Sequence, residues 1–433
     1  MAHWRNWAGD QRCSPASIEL PGSRDELAGI VRRAAERGLA VKASASGHSF
    51  TEIALTDGVM VRLDRLHRIL ELDREAGLIK VEAGFVLGEL NRRLDGLGLA
   101  LENLGDIDRQ TLGGSIATGT HGTGLRSPSI SAQVEALDLV LADGSSIEIS
   151  ASDDPAGLAA ARINLGALGV VYAVTMRVVP AFTLDRRDGP RALDRTLDQL
   201  DELTEVNDHF EFYIFPHTEI ALCRETRRTD APPAPRPAAL LYAQEVVLEN
   251  WVGQLFALAG RRFPGQAPQL ARLASRGVGR SRKIDRSHRV FASDRRIRFT
   301  EMEYGIPREQ AAEAVRRVLA IAARPEHGVA FPIEVRFVGA DEVTLSGSHA
   351  RETAYIAVHQ DRKLAWGPYF REVEQVMDSY GGRPHWGKRH FQTAETLAPR
   401  YPRWEEFGRL RRELDPGGVF ANAYTERVLG PAG

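Results

Sequence analysis

Two glycine-rich segments of this chain have residue types that suit the binding of a nucleotide. The first is the loop Ser44–Ser49, SASGHS, which follows a short apolar strand predicted at Val41–Ala43. Gly, Ser and Ala leave backbone N–H groups uncovered, and such a nest can hold a pyrophosphate. His48 near its end could face the rest of a bound nucleotide. The second segment is Thr111–Gly124, TLGGSIATGTHGTG, whose glycines let the backbone approach a ligand closely.

A pair of charged residues further along the chain could contact a substrate. Glu334 and Arg336 lie two apart in a strand predicted at Phe331–Val338, so both side chains project from one face of it. The residues between and beside them are apolar, which leaves the charged face to line something polar. The alternative is a surface ion pair, which is common and contributes little.

The elements that position these residues follow from caps, turns and periodicity. Ser23 and Glu26 form an S-x-x-E capping box that predicts a helix start. The dipeptide Asp143-Gly144 predicts a hairpin between strands at Val134–Ala142 and Ser145–Ser150. From about residue 181 helix-like stretches alternate with isolated strands, of which Ala354–His359 is one.

Bulk properties indicate an ordinary two-domain enzyme. The chain has 433 residues, 43% of them hydrophobic and 26% charged, with a formal net charge of −2, which argues against a nucleic-acid partner. Cys13 and Cys223 provide no disulfide framework, and we expect a cytoplasmic location. No apolar run is long enough to predict a transmembrane segment. His385 and His390 lack a third ligand at suitable spacing, so no metal site is predicted.

Eight segments, in this order along the chain, resemble the vanillyl-alcohol oxidase superfamily and its aldonolactone oxidoreductase branch. They are SGHSF at 46–50, GGSIATGTHGTG at 113–124, LGALGV at 165–170, EMEYGIPRE at 301–309, FPIEVRF at 331–337, AYIAVHQ at 354–360, PHWGKRHF at 384–391 and DPGGVFANAY at 415–424. No single segment is decisive, but the ordered set is specific and covers nearly the whole chain. Within the branch, the sequence resembles the bacterial L-gulono-1,4-lactone dehydrogenases.

The resemblance implies FAD as the cofactor, bonded covalently to the ring of His48. The alternative is a histidine that only hydrogen-bonds within its loop. His121 is interpreted as a loop residue that orders the cofactor rather than as a base. The residues implied to hold FAD are Ser44, Ala45, Ser46, Gly47, His48, Ser49, Gly113, Gly114, Ser115, Thr118, Gly119, His121, Gly122, Gly169, Val170, Asn422 and Lys388.

The resemblance also implies catalytic roles. Glu334 and Arg336 would hold the sugar hydroxyls beside the flavin. Lys388 would lie near the flavin N1–C2 edge or the substrate hydroxyl, where a cation stabilises developing negative charge. His359 is the companion candidate for accepting the hydroxyl proton, and which of the two accepts it is left open.

The fold implied is α+β. It comprises an FAD-binding domain of two α/β subdomains over residues 1–180, a substrate or cap domain with an antiparallel sheet and flanking helices over 181–398, and a segment over 399–433 that returns to the first domain.

The implied reaction is oxidation of an aldono-1,4-lactone at C2–OH, above all of L-gulono-1,4-lactone to give L-ascorbate. Oxygen or a cytochrome or quinone-like carrier would accept the electrons. Two alternatives are an oxidase of alditols such as xylitol or sorbitol, and a flavin-binding protein without turnover.

Overall fold

Helices, one parallel sheet and several antiparallel sheets make up the described part of the molecule. The computed structural model describes residues 2–235, 279–293 and 298–432. Their strands are β1 (Trp4–Arg5), β2 (Arg12–Cys13), β3 (Ser17–Glu19), β4 (Val41–Ser44), β5 (Val59–Arg62), β6 (Ile69–Asp73), β7 (Leu78–Glu82), β8 (Leu99–Ala100), β9 (Val134–Val140), β10 (Ser146–Ser150), β11 (Val170–Arg177), β12 (Val179–Pro180), β13 (Thr183–Ala192), β14 (His209–Ile214), β15 (Ile220–Thr229), β16 (Ser281–Arg286), β17 (Thr300–Pro307), β18 (Ile333–Val338), β19 (Thr353–Gln360) and β20 (Arg383–Pro384).

The helices are short, and several of them connect or cover the sheets. They are α1 (Arg24–Glu36), α2 (Leu87–Gly96), α3 (Leu112–Ala117), α4 (Pro155–Ala161), α5 (Leu193–Asp198), α6 (Leu200–Val206), α7 (Ser287–Phe291), α8 (Ala311–Ala322), α9 (Trp366–Asp378), α10 (Ala394–Leu397), α11 (Trp404–Leu414) and α12 (Ala423–Leu429).

Two sheets organise the N-terminal part. Strands β3, β5 and β4 form a parallel sheet, and α1 makes the crossover between β3 and β4. The second sheet has the antiparallel order β10-β9-β11-β7-β6. Apolar residues of α1 pack between these two sheets, among them Leu27 and Val31. This layered arrangement leaves the loop after β4 free to face a ligand.

The C-terminal part is built on one large sheet, in the order β16-β13-β15-β14-β18-β19-β17-β20. One face of it carries the apolar side chains of β14, β17, β18 and β19, and α5, α6, α8 and α9 pack there. The opposite face carries charged side chains. This two-faced sheet agrees with the predicted antiparallel sheet with flanking helices, and the α+β class is confirmed.

The local signals identified in the sequence have clear structural counterparts. The Ser23 side chain caps α1 by accepting from the Glu26 N–H at 3.2 Å, but the Glu26 carboxylate accepts from Gly22 rather than closing a reciprocal box. The hairpin of β9 and β10 turns at Asp143–Gly144 as predicted, with Gly144 at φ +82°.

The C-terminal segment packs against the N-terminal part. Phe407, Tyr424 and Val428 join the core of the five-stranded sheet. Asn422 caps α12, and its side-chain amide donates to the carbonyls of Glu52, Ile53 and Leu55 at 2.9–3.1 Å. The chain passes into the large sheet between β12, which pairs with β8, and β13, which pairs with β15. The predicted limits at 180 and 398 stay a prediction.

Within the described ranges, no helix has both the length and the apolar composition to span a membrane.

Candidate active site

A cavity of about 910 Å³, measured out to its open mouth, lies between the two N-terminal sheets. Its walls come from the loop after β4, from the start of α3 and from the turn at Asn164–Gly169. A side-chain methyl at Gly114 would lie 2.4 Å from the Cβ of Ala45, so only glycine lets these two walls approach. Gly47 has φ +70°, a conformation that favours glycine. The volume and the exposed loop backbone fit the predicted FAD.

The structure brings together most, but not all, of the residues predicted to hold the cofactor. Ten of them line the cavity: Ser44, Ala45, Ser46, Gly47, His48, Ser49, Gly113, Gly114, Thr118 and Gly169. The others lie outside its lining. Ser115 donates to the Leu112 carbonyl inside α3, and Asn422 uses its amide on the 52–55 backbone. The remaining five, Gly119, His121, Gly122, Val170 and Lys388, also do not line the cavity.

His48 lines the cavity as a neutral imidazole. It stacks on Trp7, with ring centroids 5.5 Å apart and planes at 28°. Burial lowers the pKa of His48 to about 4, and the charges of Lys388 and Arg109 act in the same direction. The ring therefore keeps a free lone pair at neutral pH.

Lys42 also borders the cavity, although the sequence analysis did not single it out. Its ammonium donates to the carbonyls of Gly166 and Phe420, both at 3.0 Å, and so ties the 164–169 turn and the C-terminal segment to β4. Burial lowers the pKa of Lys42 to about 7, Arg411 adds to this effect and Asp415 opposes it. A lysine inside an otherwise apolar strand is the signal that could have identified it.

The polar face of the large sheet holds the second group of residues. Cross-strand partners share a face. Glu211 pairs with Arg336 and Tyr213 with Glu334, while Glu301 pairs with His359. Further along the same face, Ala357 stands between Glu334 and Glu303. The predicted residues Glu334, Arg336 and His359 therefore project from one surface.

Glu301 lies between two of the predicted catalytic residues. Its Oε2 forms an ion pair with the Lys388 ammonium, and its Oε1 lies 3.5 Å from the Nε2 of His359. Burial alone would raise the pKa of Glu301, but Lys388 and His359 lower it to about 2. Burial alone would lower the pKa of Lys388, and Glu301 and Glu303 raise it. Both groups are charged at neutral pH, so Lys388 carries no lone pair for a proton.

His359 is oriented for the other role. Its Nδ1 lies 3.0 Å from the Pro332 carbonyl, an acceptor only, so Nδ1 carries a proton. Its Nε2 is buried and makes no hydrogen bond within the described part of the chain. In the neutral ring that Nε2 has the lone pair. Phe299 packs edge-on against the ring at 5.0 Å and limits its movement.

A second cluster, formed by His121, Glu303 and His385, lies beside the group of Glu301, Lys388 and His359. His121 stacks on Tyr355 at 3.7 Å and its Nε2 lies 3.5 Å from Glu303. Ligand-type atoms of His121, Glu303 and His385 lie within 4.8 Å of one another. The Gly387 N–H donates to Nδ1 of His385, and burial lowers the pKa of His385 to about 3. The neutral ring thus presents an N–H at Nε2, which suits hydrogen bonding better than metal coordination.

Arg336 is the centre of an ion network rather than a free substrate ligand. It pairs with Asp106 at 3.0 Å, with Glu211 at 3.2 Å and with Glu334. Burial alone would lower its pKa, but these three carboxylates raise it well above its usual value. The Tyr213 hydroxyl donates to Glu334 at 2.9 Å.

Sequence reasoning missed five groups in this site: Asp106, Glu211, Tyr213, Glu301 and Glu303. The two glutamates of β17 alternate within the segment EMEY, as Glu334 and Arg336 do in IEVR. That shared alternation was an available signal. Glu211 and Tyr213 show the same alternation in HFEFYI at 209–214. Asp106 had no such signal, because only folding brings it to Arg336.

Comparisons with known proteins cover the whole chain. The D-arabinono-1,4-lactone oxidase family matches residues 174–428, and the FAD binding domain family matches residues 15–150. The L-gulono-1,4-lactone dehydrogenase of Mycobacterium tuberculosis is 48% identical over 431 residues, which is 99% of each chain. The L-gulonolactone oxidase of Bos taurus is 33% identical over 98% of each chain, and so is the alditol oxidase of a Streptomyces species.

The fold has solved counterparts. A cholesterol oxidase from Brevibacterium sterolicum superposes with a TM-score of 0.82 over 99% of this chain and 96% of its own, at 17% sequence identity. At that identity the likeness concerns the fold alone.

The contact at Gly114 leads to a prediction about cofactor binding. Gly114→Ala should lower the FAD-to-protein ratio of the purified protein severalfold, because its methyl would overlap Ala45, a type of strain that costs about 1–3 kcal/mol. Gly96→Ala is the matched control, since a methyl there meets nothing within 4 Å. The ratio is measured from flavin and protein absorbance. Equal ratios in the two variants would contradict this account of the cavity.

Proposed function

This chain belongs to the D-arabinono-1,4-lactone oxidase family, and from that premise we propose that it oxidises L-gulono-1,4-lactone at C2–OH. The product of that oxidation tautomerises to L-ascorbate. The chain is an FAD-linked oxidoreductase that acts on CH–OH donors. The choice of lactone and the chemical roles that follow are our proposal.

One observation carries the proposal. Glu301 joins a charged lysine and the Nε2 of His359, on a buried polar sheet face beside the cofactor cavity. The Lys388 ammonium lies 5.5 Å from the ring centroid of Phe50, two residues from His48. A fixed cation and a proton acceptor next to a flavin cavity are the groups that alcohol oxidation needs.

We assign the proton to His359 rather than to Lys388. The ammonium of Lys388 is held charged by Glu301 and Glu303, whereas His359, whose Nδ1–H donates to the Pro332 carbonyl, can accept the hydroxyl proton at Nε2. Glu301 then stabilises the resulting imidazolium at 3.5 Å. Lys388 provides positive charge where negative charge develops. Bound FAD supplies the acceptor for the C2 hydride.

Glu334 and Arg336 belong to the binding surface in this proposal. Their network with Asp106, Glu211 and Tyr213 forms a rigid set of donors and acceptors, which suits the hydroxyls of a sugar ring. Because Arg336 balances two buried carboxylates and the partly buried Asp106, truncating it would also destabilise the fold. Lys388 and Glu301 are therefore the more informative positions for mutation.

For the cofactor, we propose that the loop Ser44–Ser49 holds the FAD and that His48 bonds to it covalently. The neutral ring of His48 has the lone pair that such a bond requires. Trp7 fixes the plane of the ring by stacking.

An alditol oxidase is the second candidate, favoured by the 33% identity to the Streptomyces enzyme. We expect 1,4-lactones to exceed xylitol and sorbitol in kcat/KM by about tenfold or more, since a rigid ring loses less conformational entropy on binding. The measurement is a steady-state panel with oxygen and with an artificial acceptor. Faster turnover of an alditol would reverse the assignment. Failure of every compound to bleach the flavin anaerobically would favour a flavoprotein without turnover.

The covalent bond has its own test. Acid precipitation of the wild-type protein should give a yellow pellet, and His48→Ala should release the flavin into the supernatant. Trp7→Ala, which removes the stacking but not the lone pair, should keep some flavin in the pellet. A colourless wild-type pellet would disprove the bond without affecting FAD binding.

The Glu301–Lys388 pair predicts a change in pH dependence. Burial lowers the pKa of Lys388, and the Glu301 carboxylate opposes this by raising it. In Glu301→Gln that opposition is weaker, so the pKa of Lys388 falls. The alkaline limit of the flavin-reduction rate should move to lower pH. Lys388→Met should slow reduction by about 10²–10³-fold at all pH values.

Glu374→Gln is the control for this pair. Glu374 is also a buried carboxylate, but it is bonded to the Tyr304 hydroxyl, away from Lys388. The measurement is anaerobic stopped-flow reduction over a range of pH. An alkaline limit that stays in place in Glu301→Gln would show that the pair does not govern the reaction.

A further inference from the structure

A second cleft, here called the arginine cleft, opens next to the cofactor cavity. Arg371, Arg389, Arg427, Trp366 and Phe391 line it, and it encloses about 750 Å³ measured out to solvent. Thr51 borders both the cleft and the cofactor cavity. The two spaces therefore share part of their walls.

The arginine cleft has an excess of positive charge. Its three guanidinium groups are offset by two carboxylates: Glu52 lies 3.7 Å from Arg389 and 3.9 Å from Arg427, and Asp10 lies 2.6 Å from Arg389. Within the described residues, Arg371 has no carboxylate within 4.0 Å. A guanidinium binds carboxylate and sulfonate-type groups through paired N–H donors, so this cleft favours an anion.

The aromatic rings of the cleft add a shape requirement. Trp366 and Phe391 stack with planes at 19° and centroids 6.2 Å apart. Arg371 lies 4.0 Å from the centroid of Phe391, and Arg389 lies 4.6 Å from that of Trp366. Guanidinium groups and aromatic rings are thus already stacked on one another in this wall, so a further planar ring can stack on it.

The chain itself separates this cleft from the lactone site. Lys388 points to Glu301 on the polar sheet face, whereas the next residue, Arg389, points to Asp10 and Trp366. The preceding residue, Gly387, is held to the end of the cofactor loop, because its carbonyl accepts from the Phe50 N–H at 2.7 Å. A molecule in the arginine cleft would thus approach the cofactor cavity without displacing the lactone.

We propose that the arginine cleft binds the electron acceptor, a planar organic anion of the quinone class. The inference rests on the proposed function, in which the lactone C2–OH loses two electrons and two protons. The acceptor takes up the same two electrons and two protons and becomes the hydroquinone, so the overall reaction converts alcohol and quinone to ketone and hydroquinone.

The test compares 1,4-naphthoquinone-2-sulfonate with uncharged 1,4-naphthoquinone as acceptors for the holoenzyme. Arg371→Glu should raise the KM for the sulfonate about tenfold and that for the uncharged quinone less than twofold, and Arg371→Ala should have an intermediate effect. Arg412→Glu is the control, an exposed helical arginine outside the cleft. Normalising each variant to its own anaerobic reduction rate by lactone isolates the acceptor step.

Binding is measured separately from turnover. Naphthalene-2-sulfonate, which accepts no electrons here, is titrated calorimetrically into the oxidised holoenzyme, and Arg371→Glu should weaken it about tenfold. Equal effects of Arg371→Glu on the two quinones would overturn the acceptor site, and unchanged naphthalene-2-sulfonate binding would overturn the anion site. If the wild-type flavin is not reduced by any lactone, the proposed function fails instead, and calorimetry still decides whether the cleft binds the anion.

Discussion

The need to neutralise charge on a buried sheet face is the constraint on which the rest of this structure depends. Glu301, Glu303, Glu334 and Arg336 are all nearly inaccessible to solvent, and a buried charge without a partner costs several kcal/mol. The structure meets this cost with pairs and triads rather than with isolated groups. A network of this kind gives little net stability, but it holds each donor and acceptor in one position, which a reaction at a sugar carbon requires.

The cofactor cavity and this polar face are connected through a single segment of chain. Gly113 and Gly114 line the cavity, and a few residues later His121 stacks on Tyr355 and meets Glu303 on the sheet. The segment is anchored where the Gly124 N–H donates to the Phe337 carbonyl at 2.6 Å. Movement of the large sheet relative to the N-terminal part would therefore displace both sites together.

The C-terminal segment has a structural role in the same arrangement. Lys42 and Asn422 tie it to the strand before the cofactor loop and to the residues after that loop. The donor groups of both side chains are directed at backbone carbonyls, so we interpret the two residues as ones that keep the cavity walls in register.

Local sequence determined a large part of this protein. The cap at Ser23, the hairpin at Asp143–Gly144 and the alternation of Glu334 and Arg336 with apolar neighbours depend on residues close in the chain. The ordered motifs also indicated the family. Only the tertiary structure decided the chemistry of the site. Glu301 reaches Lys388 across 87 positions of chain, and Asp106 reaches Arg336 across 230. The charge state of Lys388, on which our proposal of His359 as the proton acceptor rests, follows from these contacts, because a pKa depends on neighbours in space and on burial rather than on neighbours in sequence.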